Sequence, residues 1–296
     1  MSKGIGYAKT ILFGEHFVVY GMSAIGIGLS KKTEVVVEKS PHMKIESNYA
    51  DANLLKGIEA VKSAMKIHDN FIIKITSEIP MGGGLGSSAA LSVAFVRALS
   101  DEYGLNLSDA QVSSYAYEAE KIYHGSPSGI DNSLATFGGA IVFQKREEGS
   151  IITQLKIKNP LHIIIGNPGK RNSSTKELIS AVRSRKEKHP EIYDFIFSTE
   201  KKIIESAIKA IENGDLEELG ELMNMNHGIL STIGVSSKKD EDIVHTAREC
   251  GALGAKITGA GCGGSCVILA KDEKHAELIA NEIKKIGYIT LIAVVQ

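Results

Sequence analysis

Between Phe71 and Leu99 the chain passes through three kinds of sequence in quick order. Phe71-Ile72-Ile73-Lys74-Ile75-Thr76 alternates and is rich in β-branched residues, which predicts a strand. Pro80-Met81-Gly82-Gly83-Gly84-Leu85-Gly86-Ser87-Ser88 predicts a loop, and the apolar run Ala89–Leu99 a buried helix. A strand that reaches a helix through such a loop builds a local anion site. Glycines let the backbone approach a ligand closely and turn several N–H groups toward it. The first helical turn adds unpaired N–H groups and a partial positive charge. Phosphate is the anion this suits. A plain turn is the competing reading, and the two serines beside the apolar helix argue against it. The common P-loop is excluded, because no Lys-Ser/Thr pair follows the glycines. A lysine on the phosphates must then come from another segment. The glycine spacing also differs from the dinucleotide fingerprint.

A chain of 296 residues suits two ordinary domains or one large one. Its net charge of -1 gives no reason to expect nucleic acid or an anionic membrane as partner. No apolar run is long enough to span a bilayer. The N-terminus lacks a basic-then-apolar leader, so the expected location is the cytoplasm. Three cysteines, Cys250, Cys262 and Cys266, are an odd, small number that argues against a disulfide framework, and no second Cys or His pair sits at zinc-site spacing beside Cys262 and Cys266.

Ile5–Phe13 predicts a strand carrying one charge, Lys9, and Phe17–Gly21 its continuation beyond Gly14-Glu15-His16. Lys9, Glu15 and His16 form a polar trio in an apolar stretch, facing either solvent or a cleft. Ala24–Leu29, Thr33–Glu38 and Met43–Glu46 predict further strands, and Ala52–Met65 a helix. Ser108-Asp109-Ala110-Gln111 is a capping box that opens a helix to Tyr123. Glu120 lies near the end of that helix, where a carboxylate opposes the dipole. It is either a surface glutamate or one that gains from a nearby cation. His124-Gly125-Ser126-Pro127-Ser128 breaks the helix. Ser128 and Asp131 again have capping-box spacing, which places Asp131 in the first turn of a helix to about Phe137. Asp131 is thus a cap residue or a positioned general base. A strand over Ile141–Gln144 and a charged stretch, Lys145–Ser150, follow, and a domain boundary is expected near there.

The second half predicts a strand at Leu161–Ile165 and a loop from Gly166 to Ser174 that includes Lys170, Arg171 and Asn172. Helices follow over Thr175–His189, Glu191–Asn213, Leu216–Ile229 and Glu241–Cys250. Ala255–Thr258 and Ser265–Ala270 predict strands on either side of Gly259-Ala260-Gly261-Cys262-Gly263-Gly264. That turn fits the dinucleotide pattern in letters, but no helix follows to meet a pyrophosphate. A glycine connection between two strands fits better. With a helix over Glu273–Ile286 and a strand over Tyr288–Val295, the half predicts an α+β sandwich of the ferredoxin kind.

Three separated segments resemble the motifs of one superfamily, that of galactokinase, homoserine kinase, mevalonate kinase and phosphomevalonate kinase (GHMP). They are Lys9-Thr10-Ile11-Leu12-Phe13-Gly14-Glu15-His16-Phe17-Val18-Val19-Tyr20-Gly21, Pro80–Ala90 and Lys256–Gly264. Within it, KTILFGEHFVVYG and HGSPSGIDN look most like short mevalonate kinases of archaea and bacteria. One departure is Gly6-Tyr7-Ala8, where such kinases usually have Ala-Pro-Gly. The resemblance implies an α+β, two-domain fold: an N-terminal ribosomal-protein-like domain over 1–150 and a C-terminal ferredoxin-like sandwich over 151–296. It implies ATP and Mg²⁺ as cofactors and phosphorylation of the 5-hydroxyl of mevalonate. Asp131 would be the base, and Lys9 would keep it ionised and meet charge on the phosphoryl group. Pro80, Gly82, Gly83, Gly84, Leu85, Gly86, Ser87 and Ser88 would wrap the phosphates, and Ser88 and Glu120 would hold the metal. Glu15, His16, Thr175 and Gly261 would face the substrate. Another alcohol, a sugar or phosphomevalonate is the nearest rival acceptor, and a catalytically silent ligand sensor the rival from another class. Whether the chain forms a homodimer stays open.

Overall fold

The computed structural model describes residues 1–47, 53–80, 84–124, 129–146, 149–169 and 173–296. The chain divides into two compact units, each discontinuous in sequence. The first takes Met1–Lys9 and Gly28–Gly138, the second Thr10–Ile27 and Gly139–Gln296. Two long strands, β1 (Ser2–Phe13) and β2 (Ser23–Ser40), run through both sets of residues.

In the first unit β2 pairs antiparallel with β4 (Asn70–Ser77), from Thr33↔Ser77 to Ser40↔Asn70. The short β3 (Lys44–Ser47) pairs parallel with β4. Helices α1 (Leu54–Ala64), α2 (Ser87–Glu102), α3 (Asp109–His124) and α4 (Ile130–Phe137) complete the unit. Its core joins Val35, Val37, Phe71 and Ile73 of the strands to Ala94, Phe95, Ala116 and Ala119 of α2 and α3. α2 is buried nearly all round, as its apolar composition predicts. The capping box of α3 is formed: Gln111 Oε1 accepts from the Ser108 N–H at 2.9 Å.

In the second unit β2 pairs with β5 (Ala140–Arg146), and β5 with β6 (Gly149–Leu155). Of the charged stretch, Lys145 pairs with Ser150 and Arg146 with Gly149. A separate antiparallel sheet is built from β7 (Leu161–Asn167), β8 (Gly254–Ile257), β9 (Cys266–Ala270) and β10 (Ile289–Val295), in the order β10-β7-β9-β8. Helices α5 (Thr175–Lys188), α6 (Pro190–Asn213), α7 (Leu216–Thr232) and α8 (Lys238–Glu249) lie between β7 and β8 in sequence, and α9 (Glu273–Lys285) between β9 and β10. Ile243, Val244, Ala276, Ile279 and Ile283 of α8 and α9 pack on Ile164, Ala255 and Ile268 of the sheet. This is the ferredoxin-like sandwich the sequence predicts.

Two expectations are corrected. Phe17–Gly21 is not a strand but a turn of 3-10 helix, Val18–Tyr20. Gly14 (φ 92°), His16 (φ 64°) and Gly21 (φ 83°) all adopt left-handed backbone, which no strand tolerates. Ala24–Leu29 and Thr33–Glu38 are one strand, because Ser30-Lys31-Lys32 is polar but contains no residue that breaks extended backbone. Among the described residues no helix is long and apolar enough to cross a membrane.

Candidate active site

The site of the first unit begins with small residues on β1. A side chain at Gly4 would meet the Ala94 carbonyl oxygen at 2.0 Å, and one at Gly6 would meet that of Ala90 at 2.0 Å. Glycines two apart share one strand face, so β1 lies directly on the backbone of α2. This accounts for Gly6-Tyr7-Ala8: Gly6 has room for no side chain, and Tyr7, unlike proline, keeps an N–H within β1. Two residues on, the Lys9 N–H donates to the Leu85 carbonyl at 3.0 Å, tying β1 to the glycine loop.

Gly86 (φ 69°) caps α2 in the left-handed region. A Cβ there would lie 2.7 Å from Lys9 Cγ, so its absence also gives the lysine stem a path beneath the loop. Gly84 is left-handed as well, with open space around it. Leu85 is buried, and Ser87 and Ser88 form the first residues of α2. Pro80 precedes the loop, while Gly82 and Gly83 lie outside the described residues.

The Lys9 side chain is 8% exposed and its Nζ lies 2.8 Å from Asp131 Oδ1, whose side chain is 29% exposed. Asp131 stands in the first turn of α4, behind the left-handed N-cap Gly129; Ser128, its expected capping partner, lies outside the described residues. Asn132 anchors α4. Its buried Nδ2 donates to Ser113 Oγ at 2.8 Å and to the Ser113 carbonyl at 3.0 Å, both on α3. The same helix α3 carries Glu120, which is buried rather than exposed. Burial, with the Asp131 carboxylate adding to it, pushes Glu120 up to about 7. The nearby Ser88 hydroxyl and the Lys9 ammonium pull the other way. Lys9, Ser88, Glu120 and Asp131 thus form one cluster at the N-terminus of α2. It combines a partly open carboxylate with a cation, a second acid, a hydroxyl and a helix N-terminus. Such a set can accept a proton from an alcohol and hold anionic oxygens.

The second unit gathers the remaining polar residues of the first motif around the third. Thr10 Oγ1 donates to Thr258 Oγ1 at 2.8 Å, and Thr258 Oγ1 to the Ile11 carbonyl at 2.8 Å. His16 Nε2 donates to the Ala260 carbonyl at 3.1 Å. Glu15 is buried against Lys256, 2.5 Å away. Gly259–Gly264 does connect two antiparallel strands, β8 and β9. Gly261 (φ 73°) rests on the Val235 backbone, where a Cβ would meet the carbonyl oxygen at 2.1 Å. Thr175 opens α5 and is exposed, just behind its N-cap Ser174. Lys170, Arg171 and Asn172, in the preceding loop, lie outside the described residues. The cysteines are free, with Cys266 buried in β9.

Two residues escaped the sequence reading. Lys256 is the one charge in a fully buried strand. Glu200 is buried in the apolar stripe of α6, four residues after Ile196 and three before Ile203, where a glutamate is out of pattern. That misfit was the available signal.

Comparison with known proteins agrees over nearly the whole chain. Residues 53–139 match the model of the GHMP kinases N terminal domain, and residues 207–289 that of the GHMP kinases C terminal domain. The chain is 36% identical to the mevalonate kinase of Thermococcus sibiricus, over 96% of this chain and 93% of that one. It is also 36% identical to the mevalonate kinase of Archaeoglobus fulgidus, over 94% of this chain and 96% of that one. Among solved structures, L. major mevalonate kinase in complex with R-mevalonate superposes with a TM-score of 0.93. Its identity is 33%, covering 100% of this chain and 96% of that one.

Proposed function

The chain belongs to the mevalonate kinases of the GHMP kinase superfamily, and we propose that it transfers the γ-phosphoryl group of ATP to the 5-hydroxyl of mevalonate with Asp131 as base. The observation that carries this reading is the Lys9–Asp131 pair beside the Gly84–Ser88 loop. An alcohol attacks phosphorus well only when its proton has an acceptor, and Asp131 is the partly exposed acid of the cluster. Lys9 keeps a positive charge beside that acid and within reach of charge that builds on the transferred group. Phosphoryl transfer rests mainly on positioning and charge stabilisation, which suits a cluster of fixed charges and N–H groups.

Glu120 fits a metal ligand. A buried acid next to a second acid is pushed up to about 7 despite the nearby Lys9 ammonium, a setting in which a further cation would favour its charged form. Mg²⁺ takes one or two carboxylates along with phosphate oxygens and water. Ser88 and Glu120 would hold it, and it would supply charge neutralisation at the phosphates. The backbone of the glycine loop would surround those phosphates, the role we assign to Pro80–Ser88. Glu15, His16, Thr175 and Gly261 are assigned to the substrate side. We keep residues 1–150 and 151–296 as the two functional halves, since Lys9, the loop, Glu120 and Asp131 all fall in the former.

A panel of acceptors with coupled ADP release tests the assignment. Mevalonate should support turnover far above galactose, homoserine or phosphomevalonate. Equal or faster turnover with any of these would overturn the substrate assignment. No ATP turnover with any acceptor would favour a ligand sensor.

A further inference from the structure

In the second unit one buried cation faces two buried acids. The Lys256 ammonium contacts Glu15 Oε1 at 2.5 Å and the Ile257 carbonyl at 2.6 Å. Glu200 of α6 accepts from Asn226 Nδ2 of α7 at 2.6 Å and lies within electrostatic reach of Lys256 and Glu15. The Gly14 backbone N–H lies near enough to favour the charged form of Glu200. Glu15 is 3% exposed, and Glu200, Asn226 and Lys256 are 0% exposed. With both acids ionised, one negative charge would lie in a dry interior without compensation, which is strongly disfavoured. Glu200 Oε1 is buried with no hydrogen-bond partner among the described residues, a state that suits a neutral carboxyl better than a carboxylate.

We propose that Glu200 is a positioning residue for the substrate side of the site: as a neutral acid it leaves the Lys256 ammonium to Glu15 and so holds the Gly14-Glu15-His16 turn in place. The inference rests on the reading above in which Glu15 and His16 face mevalonate. The turn has little freedom of its own. Gly14 is left-handed at φ 92°, and a Cβ there would meet the Ser23 carbonyl oxygen at 2.6 Å. His16 is left-handed too, and in that state its ring reaches the Ala260 carbonyl. Lys256 holds the turn at Glu15 and Ala260 at His16, and Glu200 stands near Gly14, Glu15 and Lys256.

The charged groups facing Glu200 are Glu15 from the turn after β1 and Lys256 from β8. α7 offers it the amide of Asn226. His227, next along α7, directs its ring elsewhere, to Glu241 and the Ile257 N–H. Burial, then Glu15, push Glu200 up to about 7, against Asn226, Lys256 and the Gly14 N–H. Once ionised, Glu200 competes with Glu15 for one ammonium and the hold on the turn loosens.

The test is steady-state kinetics from about pH 6 to about pH 8.5 on the wild-type chain and Glu200→Gln, with melting curves from about pH 5 to about pH 8.5. Glutamine keeps the acceptor oxygen and cannot ionise. In the wild type, KM for mevalonate should rise about five- to tenfold above pH 7, the effect of one weakened buried hydrogen bond. KM for ATP should change much less. Glu200→Gln should keep the low KM throughout, and its melting temperature should gain on the wild type as pH rises from about 5 to about 7, with the gap level above that. A flat wild-type profile, an equal rise in the variant, or a melting difference that ignores pH would each overturn the proposal. So would a Glu200→Gln chain that fails to fold, since a residue neutral in the native state tolerates its neutral isostere. The melting comparison needs no substrate. Complete absence of mevalonate turnover therefore counts against the kinase reading, while Glu200 is still judged by its own curve.

Discussion

Asp131 and Glu120 show how two acids of one cluster come to differ. Asp131 is partly open and has the Lys9 ammonium at 2.8 Å, whereas Glu120 is buried and pushed up to about 7. The first is equipped to take a proton from an alcohol. The second is equipped to take a cation. Asp131→Asn keeps the shape and removes the proton acceptor. Its turnover should fall about 10²–10⁴-fold, the usual contribution of a positioned base. Nucleotide affinity, measured by titration, should stay close to wild type. Near-normal turnover would remove Asp131 from the base role. Asp131 was legible as a helix-start residue from its spacing, but its choice between cap and base was not. That choice depends on a lysine from a distant strand, which local pattern cannot show.

At the scale of elements, the contact that organises the first unit is β1 lying on α2. It is made by the absence of side chains at Gly4 and Gly6 and by the alanines at 90 and 94. Lys9 and the Leu85–Gly86 turn ride on these same two elements, so their spacing sets the cluster. Gly6→Ala places a Cβ 2.0 Å from the Ala90 carbonyl oxygen, and neither backbone can yield without moving an element. The variant should lose about 1–3 kcal/mol of stability, as overpacked cores do. Chemical denaturation checks this, and an unchanged midpoint would show that β1 and α2 are less tightly joined than described. Gly4, Gly6 and the two alanines stand in the sequence without a local pattern that links them. Only the packing of strand on helix gives them meaning. The 3-10 turn at Val18–Tyr20 was misread for a related reason: β-branched residues predict a strand, and the left-handed residues around them overrule that preference.

Across the whole molecule, among the described residues, each compact unit contains a buried acid pushed up to about 7, Glu120 in the first and Glu200 in the second. An acid raised in the native state binds its proton more tightly folded than unfolded. Its stabilising contribution is complete below the ordinary value near 4.5 and is lost as pH rises toward 7. Melting curves of the chain without ligands should therefore decline between about pH 5 and about pH 7 and level off above. The loss should be on the order of 2 kcal/mol for each acid. Acids held low by their partners, such as Glu177 at its capping box, act only at more acidic pH, while buried His227, held below its usual 6.5, adds a smaller rise with pH that the two raised acids outweigh. A stability that climbs from pH 5 to pH 7 would contradict the burial of both groups.

Sequence alone determined the elements and their order, because periodicity, caps and glycine turns act over a few residues. It also determined the family, because three motifs keep their order along the chain. The tertiary structure decided which charges meet. Lys256 and Glu15 stand 241 residues apart, and Glu200 reads as an error in an apolar helix face until both lie beside it. Burial and charge pairing depend on distance in space, and a carboxyl's protonation follows from them. No local pattern carries that information.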